Sequence, residues 1–289
     1  MNAESRQTSE ADALRHRGPR RLCRGLLIRG QALWLYRGFV FGMVGREFKG
    51  RYLNSLLGSL WSFIQPAAMI LIYTLVFSSI MQARLTGIDD PLAYGMFLCA
   101  GLLPWALMAE YLGRATQLFI EHGPLMKKVS FPRITLPVIL MLTTLLHFGI
   151  IFGLFVLFLL LTGRFPGAPL AAFIPLILLQ QTFALGLGLI LGCLNVFFRD
   201  IGQMVQIGLQ FWFWLTPVVY PATILSPGTR GLLTLNPMSS LMDAYQGVVL
   251  QHAWPEWGRL GLHAWGALAV LATGFLVYRL LALDMVDEL

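Results

Sequence analysis

The ionisable side chains of this sequence are placed poorly for catalysis. His147 stands in the middle of an apolar stretch, 134–161, with no carboxylate beside it there, and so reads as a hydrogen-bonded packing residue. General acid–base chemistry needs positioned titratable groups, and no paired acids sit in any apolar segment. Neither H-E-x-x-H nor G-x-S-x-G occurs. A phosphate-binding loop needs Gly-Lys followed by Ser or Thr. The lysines are Lys49, Lys127 and Lys128, preceded by Phe48, Met126 and Lys127, which excludes nucleotide hydrolysis within this chain. Cys23, Cys99 and Cys193 are odd in number and far apart, so neither a disulfide framework nor a metal site is indicated.

Aromatic residues carry more information. Phe211, Trp212, Phe213 and Trp214 run consecutively and are followed by Tyr220, while Trp61, Phe63 and Tyr73 fall in an earlier apolar stretch. Such rings serve either as lipid packing and interfacial anchors or as the lining of a channel. Sugar faces slide on aromatic rings through CH–π contacts, and a lining without charges offers a polar polymer no trap.

The elements that must position these residues follow from composition. Of the 289 residues 57% are hydrophobic and 12% charged, about half the roughly 25% charge of a soluble domain. With a mean hydropathy of +0.69 the chain reads as an integral membrane protein. Charge-free windows predict six spans, at 60–81, 92–109, 134–161, 170–194, 203–220 and 260–278. Residues 1–58 hold eleven Lys/Arg against four Asp/Glu, and the rest of the chain is charge-neutral. With the N-terminus inside, seventeen basic residues face inward and four outward, which places both termini in the cytoplasm. Positive-inside topology accounts for the basic leader without nucleic acid as a partner. No cleavable signal peptide is expected in the polar first 25 residues.

Two regions fit neither span nor loop. Residues 31–52 predict an amphipathic helix at the inner interface. Residues 221–257 are apolar and cut by proline; Asn236-Pro237 reads as an N-cap and first helical residue, and Met238, Leu241, Tyr245, Val248 and His252 as one helical face. A broken apolar stretch of this kind predicts a re-entrant hairpin between spans five and six, which belongs beside protein or a water-filled pathway. Gly149-x-x-x-Gly153 and Gly188-x-x-x-Gly192 predict close packing of spans three and four.

Several segments, in order, resemble the membrane domain of polysaccharide-exporting ABC-2 transporters. Arg46-Glu-Phe-Lys-Gly-Arg-Tyr52 and Leu57-Gly-Ser-Leu-Trp-Ser-Phe-Ile-Gln-Pro66 look like its opening, and Lys127-Lys-Val-Ser-Phe-Pro-Arg133 like its first cytoplasmic loop. Phe198-Arg-Asp-Ile201, Phe213-Trp-Leu-Thr-Pro-Val-Val-Tyr-Pro221 and Leu235-Asn-Pro237 are similar to its fifth span and re-entrant segment. Asn-Pro-Met-Ser-Ser240 with Asp243 and Tyr245 resembles the O-antigen and teichoic-acid branch. The resemblance spans residues 46–245 and leaves the leader before Gln31 outside.

The resemblance implies an all-α, six-span exporter fold of type V-like architecture, divided into an interfacial segment 1–58 and a transmembrane domain 59–289. It further implies a homodimer in the bacterial inner membrane, joined to two copies of a separate subunit that binds ATP and Mg. This chain would then bind no cofactor itself. The substrate would be a lipid-linked polysaccharide. Glu121, His122, Lys127, Lys128 and Arg133 would form the loop coupled to the ATPase. Arg46, Lys49, Arg51 and Tyr52 would lie at lipid phosphates, where paired cations suit a pyrophosphate. Trp61, Phe63, Tyr73, Phe211, Trp212, Phe213, Trp214, Thr216, Pro217, Tyr220, Asn236 and Tyr245 would line and gate the channel. Exporters of teichoic acid, capsule, drugs or small lipids fit the same segments. A membrane-embedded glycan-modifying enzyme is a rival from another class, with Asp89, Asp90, Asp243 and Glu256 as its available outward acids. A passive channel is a third.

Overall fold

The computed structural model describes residues 37–50, 58–76, 90, 92–128, 132–226, 228, 231, 233, 236–282 and 284–288. Arg51, Tyr52 and Asp89 lie outside these residues, as do the side chains of Lys49 and Lys128. The α-helices among the described residues are α1 (Arg37–Gly50), α2 (Trp61–Leu75), α3 (Ala93–Glu121), α4 (Gly123–Lys128), α5 (Thr135–Leu161), α6 (Phe173–Phe197), α7 (Ile201–Trp214), α8 (Pro237–Leu250), α9 (Trp257–Leu281) and α10 (Asp284–Glu288). Four of these helices are long and apolar enough to cross a membrane: α3, α5, α6 with the 3-10 turn Ala168–Ala172 that leads into it, and α9. α2 and α7 are shorter, at 15 and 14 residues, or about 21–23 Å against roughly 30 Å of hydrocarbon. α7 stops at Trp214 because turns occupy the residues that follow, so the helix expected to run to Tyr220 ends six residues early.

α3 differs from expectation in the opposite direction. The second span, expected to end near Ala109, continues to Glu121 as one helix of 29 residues, about 43 Å long. Its extension carries Glu110 and Arg114, the charges that closed the charge-free window. Both are compensated. Arg114 is ion-paired with Glu47 of α1, and Glu110 Oε2 lies 3.0 Å from His147 Nδ1 of α5. His147 is therefore accompanied by a carboxylate after all, one supplied by the neighbouring helix where the sequence of its own span offers none.

α6 is the axis of the bundle, with α3 along one side and α9 along another. Apolar burial drives helices together weakly in lipid, so close approach and polar ties decide the packing. A Cβ on Gly274 would sit 2.4 Å from the Gly186 carbonyl oxygen, and one on Gly186 would sit 2.5 Å from the Leu271 nitrogen. The α6 and α9 backbones thus touch at two glycines. On its other face, Gly188 and Gly192 meet Tyr111 and the Ala115 carbonyl of α3. This corrects the expected pairing of spans three and four through their glycines: the partner of Gly188 and Gly192 is span two, and Gly149 and Gly153 have no atoms within 4 Å of a Cβ.

Two buried amides of α6 tie the bundle. Gln180 Nε2 donates to the Pro104 carbonyl of α3 (2.7 Å) and its Oε1 accepts from Tyr245 of α8 (2.9 Å). Asn195 Nδ2 donates to the Thr116 carbonyl of α3 (2.8 Å), and its Oδ1 accepts from Gly202 N at the start of α7 (2.7 Å). α1 docks on α5 through Val40 and Val44, four residues apart on one face and packed with Ile139.

Any side chain on Gly274 must drive α9 away from α6. Gly274→Val is expected to cost about 1–3 kcal/mol or more, read as a lowered melting temperature and yield in mild detergent. Gly266→Val, on the same helix with nothing within 4 Å of its Cβ, is the control expected to shift neither.

Candidate functional site

The site begins where α7 ends. Chain that leaves the helix here carries carbonyls with no helical donor, and in an apolar setting each needs a partner. The carbonyls of residues 214–219 are all matched. Tyr220 donates to Trp214 O (2.9 Å), Asn236 Nδ2 to Leu215 O (3.1 Å) and Val218 N to Thr216 O (2.7 Å). Gln246 Nε2 lies within donating distance of both Pro217 O (3.1 Å) and Val218 O (3.3 Å), and Tyr94 of α3 donates to Val219 O (2.8 Å). The hinge between α7 and α8 is held by side chains of α3, of α8 with its N-cap, and of the connection itself.

Asn236 is the centre of that arrangement. As the N-cap of α8, followed by Pro237, its Oδ1 accepts from Met238 N (3.0 Å) and also from the Trp212 indole (2.9 Å). Its Nδ2 donates to Thr216 Oγ1 (2.9 Å) as well as to Leu215 O. The expected face of α8 is present: Met238, Leu241, Tyr245 and Val248 are buried. His252 falls beyond the helix end, exposed, with a positive φ of 53°.

The aromatic residues divide into two groups. Phe211 and Trp214 are exposed on the surface of the single chain, as are Trp61 and Phe63 of α2. Trp212 and Phe213 point the other way and pack on Trp105 of α3, with ring centroids 5.8 and 5.7 Å away. Consecutive helical residues are about 100° apart, so four in a row cannot share a face. Tyr245, Thr216 and Pro217, expected on a channel wall, are buried in the single chain; Thr216 and Pro217 lie within the hinge, and Tyr245 is tied to Gln180 of α6. Tyr73 borders a cavity of about 250 Å³ shared by α2, α3 and α5, beside Trp61, Gln65, Trp105 and His147.

At the opposite end of α3 lies the predicted coupling segment. α3 reaches Glu121, whose side chain is exposed, and the six-residue α4 follows with Lys127 exposed. His122 Nδ1 is 2.9 Å from the Leu118 carbonyl, so it donates the hydrogen bond. α4 packs on α10, and Arg133 Nη1 donates to the Ala282 carbonyl at the end of α9 (2.9 Å). Arg133 is therefore engaged within the chain, whereas Glu121 and Lys127 face outward. Arg46 is exposed on α1, and its neighbour Glu47 holds both Arg114 and the Thr143 hydroxyl (3.2 Å).

The acids expected to face outward are mostly committed. Asp90 pairs with Arg164 and accepts from Leu92 N (3.0 Å), and Glu256 pairs with Arg259 (2.7 Å). Asp243 reaches the surface, yet the protein packed around it shifts its carboxyl pKa upward from the ordinary value, while the Arg259 guanidinium opposes that rise. Among the described residues no group of three His, Cys, Asp or Glu side chains could hold a metal ion. Residue typing missed Gln180, Asn195, Gln246 and the Glu110–His147 pair. For the three amides the available signal was their presence in otherwise apolar stretches, whereas Glu110 and His147 come from different helices and no spacing joins them.

The profile of the family described as ABC-2 type transporter matches residues 39–250. The chain is 36% identical over 226 residues to the O-antigen export system permease protein RfbA of Myxococcus xanthus, covering 78% of this chain and 85% of that one. It is 29% identical to a protein of the same description from Klebsiella pneumoniae, covering 74% and 82%. The polysialic acid transport protein KpsM of Escherichia coli is 23% identical over 81% of this chain and 90% of its own.

Asn236→Ala would orphan the Trp212 indole and the Met238 N–H and remove the donor to Leu215 O. Each unpaired buried group costs about 1–3 kcal/mol. The expected result is faster hydrogen exchange and proteolysis across 212–240, with a lowered melting temperature. Asn236→Asp keeps the acceptor for both N–H groups and should fall between the two.

Proposed function

The chain belongs to the ABC-2 type transporter family, and on that premise we propose that it is the permease subunit of an exporter of lipid-linked, O-antigen-type polysaccharide. It works as a homodimer in the bacterial inner membrane with two copies of an ATP-binding subunit, which supply the ATP and Mg sites. α2 and α7 act as spans one and five and complete six with the four long helices. Both termini face the cytoplasm, α1 lies at the inner interface, and α8 is the outer re-entrant element. The polysaccharide assignment is supported by relatives described as O-antigen and polysialic acid transporters.

The observation that carries a driven permease is the span of α3. One helix leads into α4 at its C-terminal end and, near its N-terminal end, holds the hinge through Tyr94 and Val219. A Cβ on Gly101 would meet the Gln246 amide and the Val218 carbonyl, so α3 and the hinge lie in direct contact there too. Nucleotide binding that closes the two ATPase subunits pushes α4 and α1. The ion pairs from Glu47 through Arg114 to Glu110 and His147 carry that push into α3 and α5. Since α3 contacts the hinge, a tilt at its inner end displaces residues 215–219 at its outer end. The gate moves only as far as nucleotide affinity differs between its two states. Trp61, Phe63, Phe211 and Trp214, outward on one chain, face the lumen between two copies and give the moving glycan an uncharged aromatic surface. Arg46 and its neighbours on α1 meet the phosphates of the carrier lipid.

A glycan-modifying enzyme is less well supported, because Asp90 and Glu256 are held in ion pairs. The deciding experiment is purification of the tagged chain from its host in mild detergent with mass spectrometry of what accompanies it. A stoichiometric P-loop ATPase, lost when residues 121–128 are replaced by a Gly/Ser linker, is the expected outcome. Recovery of the chain alone under several detergents would overturn it in favour of an enzyme or passive channel.

A further inference from the structure

A second site lies on the end of the bundle opposite α4, between α8 and the start of α9. It is an open cavity of about 320 Å³ whose wall includes Ser240, Asp243, Gln251, Trp254, Glu256 and Arg259. That volume is at the lower end of the roughly 300–1,000 Å³ typical of small-molecule sites, with room for about one or two sugar rings. We propose that this cavity is a binding subsite for neutral or amino sugar units of the emerging glycan, with Trp254 as its stacking platform and Asp243 and Gln251 as its hydroxyl-binding groups.

The local backbone is built to present these groups. α8 ends at Leu250, and His252 turns the chain through the left-handed region at φ 53°, a conformation rare outside glycine. After that turn Pro255 is buried while Trp254 keeps 54% of its surface exposed. An indole left in the open beside a cavity of mixed polarity offers the flat apolar face that stacks on a pyranose ring, and the polar groups around it supply complementary hydrogen bonds. Gln251 both donates and accepts, and Asp243 accepts bidentately from vicinal hydroxyls. Ser240 Oγ is 2.8 Å from His263 Nε2, and His263 Nδ1 is 3.2 Å from the Arg259 carbonyl. A carbonyl only accepts, so Nδ1 donates to it, and Nε2 of the neutral ring accepts a hydrogen bond from the Ser240 hydroxyl. The Ser240 oxygen thereby keeps its lone pairs for a ligand hydroxyl.

Charge selects the ligand class. Arg259 Nε is 2.7 Å from Glu256 Oε2, so the cation of the cavity wall is already matched by an anion. Among the described residues no second cation lines the cavity to hold a phosphate-bearing polymer, while its hydrogen-bonding groups suit neutral and amino sugars. This inference rests on the exporter reading, in which this end is the outer one and the polymer passes it after the hinge.

The test is saturation-transfer NMR on the detergent-purified complex as it comes from the host. The probe is polysaccharide released from the host's own envelope by mild acid, with glycerol phosphate as the anionic comparison. Expected is transfer from aromatic protons to the glycan in the wild type, reduced at least tenfold in Trp254→Ala and Gln251→Ala and largely kept in Trp254→Phe. The retained signal in Trp254→Phe separates a lost platform from a misfolded loop. No transfer in the wild type, equal transfer in all variants, or transfer to glycerol phosphate in place of the glycan overturns the subsite. Surface polysaccharide in a strain lacking this chain tells the two readings apart. Its disappearance upholds the exporter even where the subsite fails, and its persistence removes the exporter itself.

Discussion

Six consecutive carbonyls at the end of α7 have to be matched in apolar surroundings, and the rest of the bundle is arranged to do so. Leaving the helix at Trp214 would orphan backbone acceptors at several kcal/mol each in hydrocarbon. Tyr94, Tyr220, Asn236 and Gln246 cover residues 214, 215 and 217–219 and a short-range backbone bond covers 216. Three of these side chains come from outside the hinge, so α3 and α8 must stand where they do for the break in α7 to exist. The break in turn is what leaves α7 as a short aromatic helix and α8 as a separate unit.

The charged residues obey the same rule. Glu47, Arg114, Glu110 and His147 form a continuous series across α1, α3 and α5, each with an opposite or hydrogen-bonding partner. Exposed singly, such groups would shorten the apolar part of α3; paired, they let one helix run from the hinge to α4. Ionisable groups inside a membrane bundle mark working parts, and here they bind the peripheral helix to two spanning helices.

Much of this was legible in the sequence. Asn236-Pro237 announced the start of α8, because an N-cap oxygen and a proline at the first helical position have few other uses. Met238, Leu241, Tyr245 and Val248 announced its buried face. α5, the long third span, and α9, the sixth, begin and end near their charge-free windows. The extent of α3 was illegible, since a charge ends a hydropathy window whether or not a partner waits on another helix. The partners of Gly188 and Gly192 were illegible for a similar reason: a small residue permits approach without naming what approaches. Phe211 to Trp214 named an aromatic cluster but not its division into two faces, which the helical rotation of about 100° per residue imposes.

The contact between Gly186 and Gly274 has a consequence for how the protein is made. α9 is synthesised after α6, and its Gly274 follows Gly186 by 88 residues. Until α9 arrives, the groove at Gly186 has nothing to receive, because only a helix with a glycine at the facing position fits it. Spans made earlier can insert one by one, but the bundle closes only after residue 274 has been made. A chain cut short before residue 257 keeps its hinge and aromatic surface while lacking the piece that locks α6. Membrane quality control would meet it as an open groove.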